Sequence, residues 1–182
     1  MSEDMSSEVA EAMRGGTGRI VVGVDGSLAG MAALRTAVRE ARDGGRQVVA
    51  VQVWEPSLEE EFTLSNPERV WASYWEEQAR GRLDRAIAAA FGTKSPSLAI
   101  ERRVVRDRGW LLDRPGRALH AVADRPDDVL VIGAGRPRGR VRRYLERRAS
   151  RPVLVVSAPT LARFPRGVLR RGETVPQVRA EI

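Results

Sequence analysis

Two short segments of the chain combine glycine with residues that can contact an anion. In the first, an apolar run over residues 20–24 ends at Asp25 and is followed by Gly26 and Ser27. In the second, an apolar run over 129–132 is followed by glycines and arginines over 133–143. Glycine lets backbone N–H groups approach a ligand, and the N-terminus of a following helix favours its negative charge. The two segments therefore predict anion-binding loops at the ends of two strands.

Those two segments lie in a regular alternation of strand and helix patterns. Near-continuous apolar runs predict buried strands at 20–24, 48–54, 129–132 and 153–156, and a partly alternating run predicts an edge strand at 98–105. Apolar residues at helical spacing lie between them, with Ser27 as the predicted N-cap of the first helix and the segment Asp43-Gly44-Gly45 at its end. In the second helix, Trp71 and Trp75 are interpreted as core residues. Alternation of this kind predicts an α/β fold with an open five-stranded parallel sheet and helices on both faces.

The positive charge of the chain is concentrated in one stretch. The net charge is +7, Lys94 is the only lysine, and residues 136–151 carry eight arginines against the single acid Glu146. Such a patch suggests contact with acidic protein or nucleic acid, although the aromatic side chains that stack on bases are missing there apart from Tyr144.

Composition limits the compartment and the chemistry. The chain has no cysteine, which excludes disulfides, thiolate metal sites and cysteine nucleophiles. We find neither a signal-peptide pattern at the start nor an apolar run long enough for a membrane span, so a cytoplasmic location without membrane contact is expected. We expect a flexible N-terminal segment at 1–17, one domain at 18–158, and a flexible tail at 159–182.

Taken together, five pieces in the right order resemble the universal stress protein family over roughly residues 18–158. They are the first strand and turn at 20–27, the second strand at 51–56, the fourth strand at 127–133, the helix from 143, and the last strand at 152–156. The resemblance implies an adenine nucleotide alpha hydrolase-like, Rossmann-like sheet with strand order 3-2-1-4-5. It also implies a homodimer formed largely through the last strand, 153–156, and a family divided into ATP-binding and non-binding branches.

Members of the binding branch carry Gly-x2-Gly-x9-Gly-Ser/Thr after the fourth strand, and this chain keeps that pattern only in part. The first glycine corresponds to Gly133, the second to Arg136, and the final pair to Gly139 and Arg140, with a shorter loop between. Asp25 and Val53 match the family positions beside the ribose and the base. The resemblance thus implies a site for ATP or AMP, with no metal beyond the Mg²⁺ that accompanies a nucleotide. The residues it implies are Val24, Asp25, Val53, Ile132, Gly133, Gly139, Arg140 and Val141.

Three functions follow from these observations. The main one is a non-catalytic regulatory module of the stress response that binds ATP or AMP at the carboxyl ends of strands 1 and 4. The alternative is a homodimeric interaction protein without nucleotide, whose arginines at 136–151 contact acidic protein or nucleic acid. A dinucleotide-dependent enzyme is disfavoured, because the glycine spacing from Gly133 to Gly139 is one residue too long and follows the fourth strand.

No catalytic residue is predicted, and we therefore expect no enzyme. His120 is the only histidine and lies in a helix pattern, and Ser27 has no identifiable base. Asp127 and Asp128 are interpreted as the end of a loop before a buried strand, because neither belongs to a group with metal-ligand spacing.

Overall fold

The structure is a computed structural model that describes residues 17–54, 68–92, 96, 98–107, 114–134 and 139–159. Several sequence predictions fall outside this part of the chain. They are most of the N-terminal segment, Gly135, Arg136 and Arg138 of the second glycine segment, and the tail from 160 onward.

Five strands and four helices alternate along the described chain. They are β1 (Arg19–Gly23), α1 (Leu28–Gly44), β2 (Gln47–Trp54), α2 (Glu68–Phe91), β3 (Ile100–Arg106), α3 (Arg114–Val122), β4 (Val129–Ala134), α4 (Arg140–Arg148) and β5 (Val153–Ser157). The predicted alternation is confirmed. The third strand begins two residues later than predicted, because Ile100 lies level with Val48 and Leu98 extends beyond the start of β2.

All five strands are parallel, in the order β3-β2-β1-β4-β5, which confirms the predicted topology. β1 lies at the centre and its first four residues are buried. Strands next to helices on both faces of a sheet must be apolar on both faces, which explains the near-continuous runs in β1, β2 and β4. One core lies between the sheet and the pair α1 and α2, and a second between the sheet and the pair α3 and α4.

The turn from β1 into α1 has the chemistry that the sequence predicts. Gly26 has a φ of 78°, a left-handed conformation that suits glycine. Ser27 is the N-cap, and its Oγ accepts a hydrogen bond from the backbone N–H of Gly30 at 3.0 Å. The far end of the helix stops at Gly45, whose φ is 65°. Both ends of α1 are therefore set by local sequence.

At the end of the sheet where the strands begin, a buried ion pair joins the amino ends of β1 and β4. Arg19 is 4% exposed and Asp128 is fully buried. The Arg19 guanidinium donates to both carboxylate oxygens of Asp128, at 3.2 and 2.6 Å, and to the carbonyl of Val122. The backbone N–H of Arg19 donates to the same carboxylate at 2.9 Å. Asp128 thus has a structural role at the start of β4.

Candidate functional site

A cavity of about 560 Å³ opens at the carboxyl ends of β1, β2 and β4, beside α3 and the start of α4. It is lined by all eight residues that the sequence implied: Val24, Asp25, Val53, Ile132, Gly133, Gly139, Arg140 and Val141. Arg142, from the second predicted anion-binding segment, also lines it, together with five residues that sequence reasoning missed: Gly23, Val51, Gln52, Pro115 and Leu119. In parallel α/β sheets, ligands bind outside the carboxyl ends of the strands at the switch in strand order, which here lies between β1 and β4.

The inner part of the cavity is apolar. Val51, Leu119 and Ile132 are buried, and Val53 and Val141 are half-buried. Gln52 supplies a polar group there, and its side-chain amide donates to the carbonyl of Val53 at 3.2 Å. This part can receive a flat, largely apolar group whose edge carries hydrogen-bonding atoms.

The mouth of the cavity is charged. Asp25 is exposed, and its Oδ1 accepts hydrogen bonds from the backbone N–H of Ser27 at 3.0 Å and from its hydroxyl at 2.6 Å. Among the described residues, no hydrogen bond falls on Oδ2 of Asp25. The turn therefore holds the carboxylate in place and leaves one oxygen able to accept a hydrogen bond from a ligand hydroxyl.

Gly133 is required by packing as well as by its place in the cavity. A Cβ built on it would lie 2.5 to 2.7 Å from the backbone of Ala29 and Gly30 in the first turn of α1. β4 and α1 therefore approach each other so closely that only glycine fits. Gly30 is confined by a different neighbour, because a Cβ there would meet Oδ1 of Asp25.

The first turn of α4 borders the cavity with two arginines. Gly139 is the N-cap and makes no side-chain capping bond, so the N–H groups of this turn are not capped by it. Arg140 is exposed, and the Arg142 side chain pairs with Glu146 at 2.6 Å. A guanidinium and a helix N-terminus both favour an anion. Arg136 and Arg138, on which the shape of the loop also depends, lie outside the described residues.

Only some of the lining residues that sequence reasoning missed could have been found from the sequence. Gln52 and Val51 adjoin Val53 on β2, and side chains near the end of a strand beside the switch point are reasonable candidates. Pro115 and Leu119 belong to α3, about 60 residues from β2 along the chain, and no local motif marks them. Gly23 lies close to Leu119: a Cβ on Gly23 would be 2.8 Å from the Leu119 side chain.

The sequence matches the Universal stress protein family over residues 16–157. The chain belongs to this family. No curated protein is significantly similar to the chain.

Solved structures of universal stress proteins share the fold. The family member from Burkholderia pseudomallei is 26% identical, with a TM-score of 0.52 over 75% of this chain and 93% of that one. UspA from Lactobacillus plantarum is 21% identical, with a TM-score of 0.53 over 76% and 97%. The universal stress protein from Archaeoglobus fulgidus, solved in complex with dAMP, is 22% identical, with a TM-score of 0.45 over 76% and 97%.

The described residues contain no group of three or more metal-ligating side chains of the His, Cys, Asp and Glu type. Within the same part of the chain, no helix is both long and apolar enough to cross a membrane.

Proposed function

We propose that this universal stress protein is a non-catalytic regulatory module that binds ATP or AMP in the cavity at the ends of β1 and β4. The observation that carries the proposal is that one cavity gathers all eight implied residues, which come from β2, β4, α4 and the loops after β1 and before α4. Its volume of about 560 Å³ lies in the range of small-molecule sites.

The residues present suit the parts of a nucleotide. The apolar inner part, with Val53 and Leu119 on its walls, takes the base, and the backbone of Val53 and the amide of Gln52 face its polar edge. Oδ2 of Asp25 accepts a hydrogen bond from a ribose hydroxyl. Arg140 and the first turn of α4 hold phosphate through charge-assisted hydrogen bonds, in place of the family's hydroxyl.

The lining argues for binding rather than catalysis. Among the described residues that line the cavity, Asp25 is the only carboxylate, and there is no histidine, serine, threonine or lysine. Ser27 is nearby, but its hydroxyl already donates to Asp25 and accepts from Gly30. A bound nucleotide would thus act as a regulatory signal and not as a substrate. Any Mg²⁺ would arrive bound to the phosphates of the nucleotide.

A blocked cavity tests the proposal. Val53→Trp places an indole in the inner part and is expected to abolish retention of ATP and AMP in equilibrium dialysis. Val105→Trp is the matched control: Val105 is the register partner of Val53 on β3, is also half-buried, and does not line the cavity. The unmodified chain and Val105→Trp should bind both nucleotides. Absence of retention by the unmodified chain at millimolar nucleotide would refute the proposal.

A second variant tests the charged mouth. Arg140→Ala should weaken ATP binding about tenfold, since a hydrogen bond to a charged group contributes about 1.5 kcal/mol or more. Adenosine lacks phosphate, so its affinity should not change. Equal losses for ATP and adenosine would show that Arg140 does not contact phosphate.

We also propose that two copies associate through β5. This strand is at the edge of the sheet, and its residues Val153 to Val156 are apolar yet only half-buried. An exposed apolar edge strand has free backbone hydrogen-bonding groups and is a natural site of association. A second copy would cover both the apolar side chains and the edge.

A further inference from the structure

The charge of the molecule is divided between its two helical layers. α4 carries five arginines and one glutamate in nine residues. α2, in the opposite layer, has equal numbers of acidic and basic residues, and Arg80 pairs there with Glu76 at 3.0 Å. The excess positive charge is therefore concentrated on α4 and is not spread evenly over the two helical layers.

The arginines of α4 point outward because the apolar residues of the helix point inward. Leu145 is buried, and Val141 and Tyr144 are half-buried against the core on that side of the sheet. All five arginines are exposed, and so is Arg117 on the neighbouring α3. We use the term basic face for the exposed arginines Arg140, Arg143 and Arg147, which share one side of α4 by their i, i+3, i+7 spacing. Glu146 is the one carboxylate on α4, and it pairs with Arg142.

We propose that the basic face binds the phosphate backbone of double-stranded nucleic acid, without recognising its sequence. The helix has nine residues and is about 13 Å long, and a duplex carries about one charge per 1.7 Å of its axis. Arg143 and Arg147 are one turn apart, so neighbouring guanidiniums follow the helix at about 5.4 Å intervals. Several phosphates can therefore be contacted at once.

The chemistry of the face favours nucleic acid over an acidic protein. Interfaces between proteins depend on aromatic and apolar anchors at their centre. Among the described residues, the exposed large apolar side chains are Leu28 and Tyr74, and these belong to α1 and α2 in the other layer. Protein–nucleic acid interfaces are more polar and much more positive, as this face is.

The same face favours a duplex over a single strand. Single strands are held by aromatic side chains on which bases stack. Tyr144 is half-buried and packs against Gly116 of α3, where a Cβ would lie 3.0 Å from its ring, so it is not available for stacking. Arginines without exposed aromatics can contact the backbone but offer no platform for bases.

Fluorescence anisotropy tests the proposal. The full chain is titrated into labelled 20-base-pair duplexes of arbitrary sequence, one of DNA and one of RNA. If three or more phosphates are neutralised, affinity should fall by about 40-fold or more between about 50 and 200 mM salt. Two duplexes of different sequence should bind equally. The DNA and RNA arms identify which duplex is preferred, and binding of either one supports the proposal.

Neutralising variants locate the surface. R143Q/R147Q should weaken binding and reduce the slope of the log affinity against log salt by about two. These residues do not line the cavity, so nucleotide binding should be unchanged. R82Q/R85Q is the matched control, because it removes the same charge from exposed arginines of α2. It should bind the duplex nearly as well as the unmodified chain, and thermal melting should confirm that both variants fold.

Three results would overturn the proposal. The first is no duplex binding by the unmodified chain at about 50 mM salt, where electrostatic binding is strong. The second is equal weakening by the α2 and α4 variants, which would indicate a general effect of net charge. The third is tighter binding of poly-L-glutamate than of duplex, which would assign the basic face to an acidic protein instead.

Discussion

Gly133 shows how one residue can serve both packing and a binding site. Its hydrogen in place of a side chain lets β4 pass within contact of the backbone at Ala29 and Gly30, and this brings the ends of β4 and α1 together at the cavity. Packing alone therefore requires glycine at this position, whether or not a ligand binds. Its presence alone is weak support for nucleotide binding.

A pair of glycine substitutions tests whether packing requires glycine at position 133. Gly133→Ala should lower the free energy of unfolding by about 1–3 kcal/mol, because its Cβ meets backbone that cannot move aside. Gly81→Ala in α2 is the control: the nearest atom to its Cβ is the end of the Arg85 side chain at 3.4 Å, so it should stabilise the chain by about 0.5–1 kcal/mol. Urea denaturation measures both. If Gly133→Ala leaves the free energy of unfolding unchanged, the close approach of β4 to α1 is contradicted.

Asp128 is a second residue whose role depends on a distant partner. Burial would raise its pKa, but hydrogen bonds from the Arg19 side chain and backbone and from the backbone of Arg125 lower the pKa below its ordinary value of 3.8. The pKa of Arg19 is raised, chiefly by its hydrogen bond to Asp128. The carboxylate is thus charged and fully paired at neutral pH.

Removing that charge should destabilise the fold. Asp128→Asn is expected to cost about 3–5 kcal/mol at pH 7, because the buried guanidinium of Arg19 loses its buried carboxylate partner and keeps only the exposed Asp124, at 2.5 Å. In the unmodified chain, the carboxylate binds a proton more weakly when folded than when unfolded. Its stabilisation is therefore complete above about pH 4 and is lost as the pH falls through the folded pKa.

Urea denaturation at several pH values measures this dependence. The stability of the unmodified chain should decrease as the pH is lowered below about 4, and Asp128→Asn should show a smaller decrease over the same interval. Parallel curves for the two proteins would show that the acid dependence arises from other carboxylates.

At the scale of elements, the turn into α1 links local helix chemistry to the site. Ser27 caps the helix, and the same hydroxyl donates to the carboxylate of Asp25 at 2.6 Å. The helix start and the orientation of Asp25 therefore share one side chain.

Ser27→Ala tests this link. Loss of the cap should reduce stability by about 1 kcal/mol, whereas Ser27→Gly should cost only a few tenths. Both variants free the Asp25 side chain from the hydroxyl, so both should weaken nucleotide binding. Chemical denaturation and equilibrium dialysis measure the two effects separately. Unchanged nucleotide affinity in both variants would indicate that the backbone N–H of Ser27 is enough to hold Asp25.

For the whole molecule, the two edges of the sheet differ. β3 at one edge carries charged side chains, including Arg102, which pairs with Asp84 of α2 at 2.8 Å. β5 at the other edge has four apolar residues in sequence. Charge protects the first edge from association, and the second has no such protection.

Analytical ultracentrifugation tests the proposed dimer. The chain has a mass of 20.1 kDa, so a homodimer has twice that mass. Val155→Glu on β5 should shift the protein toward the monomer. Val105→Glu places the same charge on β3, is half-buried against the same core, and should leave the dimer intact. A monomer at all concentrations of the unmodified chain would exclude association through β5.

Much of the fold was predictable because its signals are local. Apolar runs marked the strands, glycine and serine marked both ends of α1, and the order of motifs indicated the family. The residues that the family resemblance implied each lie in or beside a motif, and the structure brings them to one cavity. The ion pair between Arg19 and Asp128 was missed, because two ordinary charged residues over 100 positions apart carry no shared signal.

The sequence by itself determined the alternation of elements, the parallel sheet and the family, since periodicity and turn residues act over a few neighbouring positions. Only the tertiary structure decided which side chains share a surface. It brought Leu119 and Pro115 of α3 to the ends of β1 and β2, and it pressed Gly133 against α1. These juxtapositions depend on how distant elements pack, and no short stretch of sequence encodes them.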